Sequence, residues 1–157
     1  QVERVNHERK LAMAVRIEAA AGGSVRGKTV AILGVTFKPN TDDMRDAPSL
    51  LIVPMLQERG ATVRACDPQG RKQAEPMLPG VTWCESADEA ATGADVLVIV
   101  TEWNEYRALN LEAIKSRMSG STIVDLRNVL DPAAVRDLGI AYTGIGRGRH
   151  TASQKTG

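Results

Sequence analysis

The sequence predicts an α/β protein, a doubly wound parallel sheet of five or six strands preceded by an N-terminal helix. Three observations carry that expectation. Short apolar runs recur along the chain, among them Val30-Ala31-Ile32-Leu33, Thr62 to Cys66 and the Val-Leu-Val-Ile-Val core of 95–100. Runs this short and this apolar suit strands buried on both faces. Helical stretches with start and stop signals separate them. Strands spaced by single helices pair in parallel with right-handed crossovers, which gives a Rossmann-like sheet in the expected order 3-2-1-4-5-6.

Each element can be justified in turn. Gln1 to about Ala21 is rich in Ala, Glu, Arg and Lys, with no Pro or Gly before Gly22-Gly23, so it reads as a helix. Leu11, Ala14, Val15 and Glu18 are expected to share its inner face. Such a helix packs on a neighbour, links two domains or simply lies on the surface. Gly22-Gly23-Ser24 is a short hinge.

Strand one runs from Thr29 to Val35. It breaks at Gly34 into a charged loop holding Lys38, Asp42, Asp43 and Arg45. Asp46-Ala47-Pro48 reads as a helix cap with Pro in the first turn. The helix to about Arg59 should bury Leu50, Leu51, Val53 and Leu56, with Pro54 kinking it or shifting its start. Strand two is Thr62 to Cys66. The following Asp67-Pro68 fits a second cap better than a ribose-binding acid.

Gln69 to Leu78 is a weak helix, and Val81 to Cys84 is a short third strand. Ser86 and Glu89 form a capping-box pattern at the start of a helix ending near Gly93. Strand four, Asp95 to Val100, leads into Thr101-Glu102-Trp103. A helix over 109–118 with Asn110 as its cap precedes strand five, Ser121 to Val124. Asp131-Pro132 caps a helix to about Leu138, and Ile140 to Thr143 is the last strand. Residues 144–157, rich in Gly, Arg, Thr, Ser and Lys, are expected to be disordered.

In this order strands one, four and five are neighbours, and their following loops share one sheet edge. That edge is where open α/β sheets take ligands. Phe37 and Lys38, Glu102 and Trp103, and Arg127 converge there. Neighbouring strands lie ~4.8 Å apart, so Lys38 and Arg127 sit roughly 10 Å apart, close enough to share a diphosphate. Arg suits a phosphate because its donors form a planar fork. The competing readings are ordinary. The loop's Asp and Arg residues pair with one another, Arg127 pairs with Asp125 or Asp131, Glu102 caps or makes a salt bridge, and Trp103 covers the sheet edge.

Composition narrows the function further. The 157 residues suffice for one domain with an extra arm, and a net charge of +1 implies no polyanion partner. Only 3% of residues are aromatic, which argues against a base-stacking nucleic-acid surface. No apolar run is long enough to span a membrane, and no signal peptide is visible. Cys66 and Cys84 are expected to be reduced thiols of a cytoplasmic protein, away from the switch point. His7 and His150 have no visible partners. The usual G-x-G-x-x-G turn is absent, since only Gly34 is present. With no nucleophile–base pair, metal-ligand spacing or paired carboxylates, the residues alone describe a phosphate-binding domain without evident catalytic or metal chemistry.

The string GVTFKPNTDDMRDAPS, Gly34 to Ser49, resembles the signature opening the C-terminal domain of the UDP-glucose 6-dehydrogenase family. TEW (101–103), VDLRNVLDP (124–132), CDP (66–68) and YTGIGRG (142–148) are similar to family segments in the same order. QVERVNHERK resembles the end of the central helix joining two domains.

The resemblance implies a part of an enzyme that oxidises the C6 alcohol of UDP-glucose to UDP-glucuronate with NAD. It implies residues 1–24 as the end of the central helix and hinge, 25–146 as the UDP-binding domain and 147–157 as the tail. Phe37, Lys38 and Arg127 would contact the UDP-sugar, and Arg45 would reach NAD across a domain interface. The family's catalytic Cys lies in a Cys-Phe-Pro-Lys-Asp motif, in which neither Cys66 nor Cys84 sits, so no catalytic residue is expected here. The implied partners are an N-terminal NAD-binding domain and a second copy through the central helix. A dehydrogenase for GDP-mannose or a UDP-N-acetylhexosamine, a stand-alone nucleotide-binding regulatory module, and a purely structural dimerisation domain are the alternatives.

Overall fold

A computed structural model describes the backbone of residues 2–145 and the side chains of residues 7–145. The expected disordered tail (147–157) and His150 lie outside the described residues.

Six parallel strands form one sheet: β1 (Thr29–Leu33), β2 (Thr62–Cys66), β3 (Thr82–Trp83), β4 (Val96–Ile99), β5 (Thr122–Asp125) and β6 (Ala141–Gly144). Their order is β3-β2-β1-β4-β5-β6, as the alternation of strands and helices predicts. The central strands β1 and β4 pair from Val30 opposite Val96 to Leu33 opposite Ile99. They are buried on both faces, which is why their sequences lack polar alternation.

Two cores flank the sheet. On one face Val30, Ile32, Val96, Val98 and Val124 pack with α1 (Val2–Ala20), α2 (Ser49–Glu58) and α3 (Arg71–Ala74). On the other, Ala31, Leu33, Leu97, Ile99 and Ile123 pack with α4 (Ala87–Ala91), α5 (Asn104–Arg107), α6 (Leu111–Arg117) and α7 (Pro132–Asp137). Each fully buried aliphatic side chain contributes about 1.5–3 kcal/mol of transfer free energy.

Several local expectations are met atom by atom. Ser86 Oγ accepts from Glu89 N at 3.1 Å, Asn110 Oδ1 from Ala113 N at 3.1 Å, and Asp131 Oδ1 from Ala133 N at 3.1 Å. Others need correction. The inner face of α1 is not Leu11, Val15 and Glu18. Leu11 and Val15 are 37% and 48% exposed, while Ala14, Ile17 and Ala21 are buried and Met13 is packed beside them. The inward stripe thus combines small Ala14 and Ala21 with the larger Ile17 and Met13. Glu18 lies off that stripe and pairs with Arg59 at the C-terminal cap of α2.

α2 likewise buries Ser49, Ile52, Val53 and Leu56, leaving Leu50 and Leu51 half-buried. Pro54 lies within it. Asp46 does not cap this helix. Its φ is +58° and its side chain is exposed, whereas Pro48 takes the cap position in a helical conformation with no side-chain cap bond. The chain enters α2 through consecutive turns closed by Ala47 N to Met44 O and Leu50 N to Ala47 O. The 69–78 segment is α3 followed by a 3-10 turn at Glu75–Met77, and α5 is an additional helix that the sequence reading passed over. Gly144, expected in the tail, closes β6 opposite Asp125.

Candidate functional site

The loops after β1, β4 and β5 meet at the sheet edge where β1 and β4 diverge. The β1 loop is pinned at its base and open at its tip. Gly34 has φ +87°, and a Cβ there would lie 2.5 Å from Thr101 Cβ, so only glycine passes this crossing. Ser49 Oγ donates to Val35 O at 2.6 Å, and Thr101 Oγ1 donates to Thr36 O at 2.7 Å. Phe37 N donates to Asp43 O at 3.1 Å, closing the loop across its neck. Phe37 is left 44% exposed, and Lys38 is exposed beside it.

Asp67 explains why this edge is not a dinucleotide cradle. Its Oδ2 accepts from Val35 N at 2.7 Å, Thr36 N at 3.2 Å and Thr36 Oγ1 at 3.3 Å. Its Oδ1 accepts from Gln69 N at 3.0 Å and Gly70 N at 2.6 Å. The amides that follow β1 point at an internal carboxylate instead of a pyrophosphate. Asp67 is thus neither a ribose acceptor nor the cap of α3, whose cap position is Gly70. It ties the end of β2 to the end of β1.

Arg127 is positioned with similar care. Asp125, fully buried, accepts from Arg127 N at 3.2 Å, Val129 N at 3.0 Å, Leu130 N at 2.8 Å and Tyr142 Oη at 2.9 Å. That fixes the turn after β5. Arg127 Nε donates to Val100 O at 2.9 Å and lies 3.6 Å from Glu102 Oε1. Its guanidinium is anchored through one nitrogen, and the two terminal nitrogens have no described protein partner. Glu102 therefore makes the salt bridge expected of it, and Trp103 is buried in the core under the sheet edge.

Phe37 and Arg127 line one cleft of about 290 Å³ together with Arg9, Lys10, Met13, Asp46 and Pro48. Lys38 is exposed and does not line it, so the cleft brings Phe37 and Arg127 together but not Lys38. Arg9, Lys10 and Met13 come from α1, which sequence reading treated as a connector. The signal was available: positions 10, 13, 14, 17 and 21 follow one helical stripe, and the adjacent basic pair Arg9-Lys10 stands at its N-terminal end.

Arg45 lies apart, lining a second cleft of about 600 Å³ with Asp42, Asp43, Met44, Leu50, Gln73 and Met77. Its Nε and Nη2 donate to the two Asp43 oxygens at 3.1 and 3.0 Å. That fork holds the Asp43 carboxyl below its ordinary range and raises the guanidinium of Arg45.

Cys66 and Cys84 are both free and buried. Burial pushes the Cys66 thiol up to about 12, and burial also raises Cys84. Neither is a thiolate near neutrality. No cluster of three or more His, Cys, Asp or Glu suited to a metal ion occurs among the described residues. No described helix is long and apolar enough to cross a membrane.

Comparison with known proteins places the chain in a family. Residues 31–132 match the UDP-glucose/GDP-mannose dehydrogenase family, UDP binding domain. The chain is 48% identical over 143 residues to a UDP-glucose 6-dehydrogenase of Rhizobium meliloti, covering 91% of this chain and 33% of that protein. It is 41% identical to one of Pseudomonas aeruginosa, covering 81% and 29%. Among solved structures, a UDP-glucose dehydrogenase from Pyrobaculum islandicum superposes with TM-score 0.74 at 32% identity, over 91% of this chain and 31% of the other. The chain spans about a third of the length of these relatives. It belongs to the UDP-glucose/GDP-mannose dehydrogenase family, of which it carries the UDP-binding domain.

Proposed function

We propose that this chain is the substrate-side domain of an NAD-dependent UDP-glucose 6-dehydrogenase, and that it holds the UDP-sugar without carrying out the oxidation. The observation that carries the reading is the convergence of Phe37 and Arg127 on one cleft at the sheet edge. Phe37 offers an exposed apolar face. Arg127 offers two terminal nitrogens on a guanidinium whose Nε is already anchored. Lys38, exposed at the loop tip, closes on the ligand from the rim.

The oxidation belongs to other parts of the proposed enzyme. Buried, protonated Cys66 and Cys84 are unsuited to covalent catalysis. NAD does not fit the turn after β1, because Asp67 consumes the amides of Val35 and Thr36. Arg45, exposed on the far side of the loop, is the residue that would reach NAD held by an N-terminal domain. In this reading residues 1–24 join the two domains and support a homodimer, residues 25–146 hold the nucleotide, and the enzyme works in the cytoplasm.

Calorimetric titration of the chain with UDP-glucose, alongside GDP-mannose and NAD, tests the proposal. Selective uridine-nucleotide binding is expected, with Phe37→Ala and Arg127→Ala each weakening it about tenfold or more, as loss of a charge-assisted bond or a stacking face predicts. Preference for GDP-mannose would overturn the UDP-glucose assignment. Absence of binding to any nucleotide at millimolar concentration would favour a structural role.

A further inference from the structure

We propose that Arg9 and Lys10 of α1 are the principal phosphate-holding cations of the cleft, so that α1 is a wall of the binding site as well as a connector. The inference rests on the nucleotide-binding reading above and names the group that the two side chains recognise, a diphosphate.

Three observations converge. The cleft of about 290 Å³ is lined by three cations, Arg9, Lys10 and Arg127, against the single carboxylate of Asp46. Its size is at the lower end of ligand pockets, and its charge balance favours an anion. Neither Arg9 nor Lys10 forms an ion pair among the described residues, so no carboxylate there neutralises either charge. Finally, α1 is fixed in place. Ala14 and Ile17 are buried in the core, Met13 is packed against it, and Arg16 Nη1 donates to Gly144 O of β6 at 3.5 Å. The two cations are thus presented to the cleft by an anchored helix face, and ordering them costs less than ordering a free loop.

The division of labour follows from the chemistry. Arg9, Lys10 and Arg127 line one cleft, a set of cations that suits the two bridged phosphates of a nucleoside diphosphate. Asp46 accepts hydrogen bonds and repels phosphate, so it suits a hydroxyl or ring N–H at another part of the ligand. Phe37 supplies the apolar wall. Lys38 does not line the cleft and meets the ligand from its rim.

The test titrates the 157-residue chain with UDP, uridine and inorganic pyrophosphate by calorimetry, using the wild type, the Arg9→Ala/Lys10→Ala double variant and a Lys72→Ala control. Lys72 is an exposed lysine on α3. Alanine is a strong helix former, so α1 persists, which circular dichroism verifies. The double variant is expected to lose about tenfold or more in affinity for UDP and for pyrophosphate, to keep its uridine affinity within about twofold, and to show a shallower salt dependence. Lys72→Ala should match the wild type.

Unchanged UDP and pyrophosphate binding in the double variant would overturn the inference and leave the proposed function standing on Phe37 and Arg127. Pyrophosphate binding that the double variant loses, with no binding of UDP or uridine, would uphold the phosphate clamp and overturn the nucleotide reading. No binding of either phosphate ligand to the wild type would overturn both.

Discussion

Replacing Asp67 by Asn should damage the fold from within the site. The side chain keeps its volume, so no cavity confuses the result. What changes is the acceptor count. Asp67 takes five hydrogen bonds, from Val35 N, Thr36 N, Thr36 Oγ1, Gln69 N and Gly70 N. An amide keeps one oxygen and presents an NH₂ where the other stood. Whichever way it turns, two backbone N–H groups face a donor. An orphaned partly buried amide costs about 1–3 kcal/mol, and the lost charge weakens the remaining bonds. Water reaches the Gln69 side, so the net loss should be about 2–4 kcal/mol. For a chain of this size that lowers Tm by roughly 5–15 °C. Urea unfolding measures the stability, and native-state amide exchange localises the effect, with Val35 and Thr36 losing protection before the core of β4. A variant within about 0.5 kcal/mol of wild type, with Val35 and Thr36 still protected, would refute the claim that this carboxylate organises the β1 turn.

Other perturbations have equally definite outcomes. Gly34→Ala combines a positive φ with a Cβ 2.5 Å from Thr101 Cβ, so chemical denaturation should show a loss above about 3 kcal/mol. Ser49→Ala removes the bond to buried Val35 O and should cost about 1–2 kcal/mol in the same assay. The Cys66 thiol, ordinarily at 9.0, stands at about 12 in the fold, so folding protects its proton. Between those values the unfolded chain binds fewer protons than the native one. The contribution is whole below pH 9 and is lost as pH rises toward 12, at up to about 1.4 kcal/mol per pH unit. Urea midpoints on either side of pH 9 check the sign, and Cys66→Ala should flatten the slope. Thiol labelling near neutrality should be slow in the native chain and fast in urea, because the thiol is both buried and protonated.

Much of this architecture is legible in the sequence because parallel strands buried on both faces advertise themselves. Val-Leu-Val-Ile-Val at 96–100 admits no solvent-facing side, and β4 indeed lies at the centre beside β1. The caps Ser86, Asn110 and Asp131 are legible because a side-chain acceptor two or three residues before a free N–H is a local event. Asp46 misled for the opposite reason. Its dipeptide context resembles a cap, but the tertiary path of the loop forces it to φ +58° and hands the cap position to Pro48. The inner face of α1 is not legible in the same way, because Ala14, Ile17 and Ala21 compete with Leu11 and Val15 on hydrophobicity alone and only the tertiary packing against the sheet and α2 selects between the two stripes. In the site, strand order brings the loops of Phe37 and Arg127 to one edge, but it carries no information on side-chain direction. Strand order therefore does not tell that Lys38 stays outside the cleft lined by Phe37 and Arg127, nor that Arg9 and Lys10 of α1 line it.

Asp67 and α1 together account for where the candidate site moved. In a dinucleotide-binding sheet the amides after the first strand meet the phosphates at a helix N-terminus. Here those amides are spent on an internal carboxylate, and the turn carries one glycine in place of a glycine-rich fingerprint. A ligand at the same edge must find its positive charge elsewhere. The described structure offers it farther out, on Arg127 after β5 and on the Arg9-Lys10 pair of α1, with Phe37 displayed from a loop that Asp67 itself holds. On the proposed reading, this use of side-chain charge in place of backbone amides ties phosphate binding to the docking of α1. Any change that lifts Ala14 and Ile17 from the core removes two of the three cations, and should weaken phosphate binding even though β1, β4 and β5 remain folded.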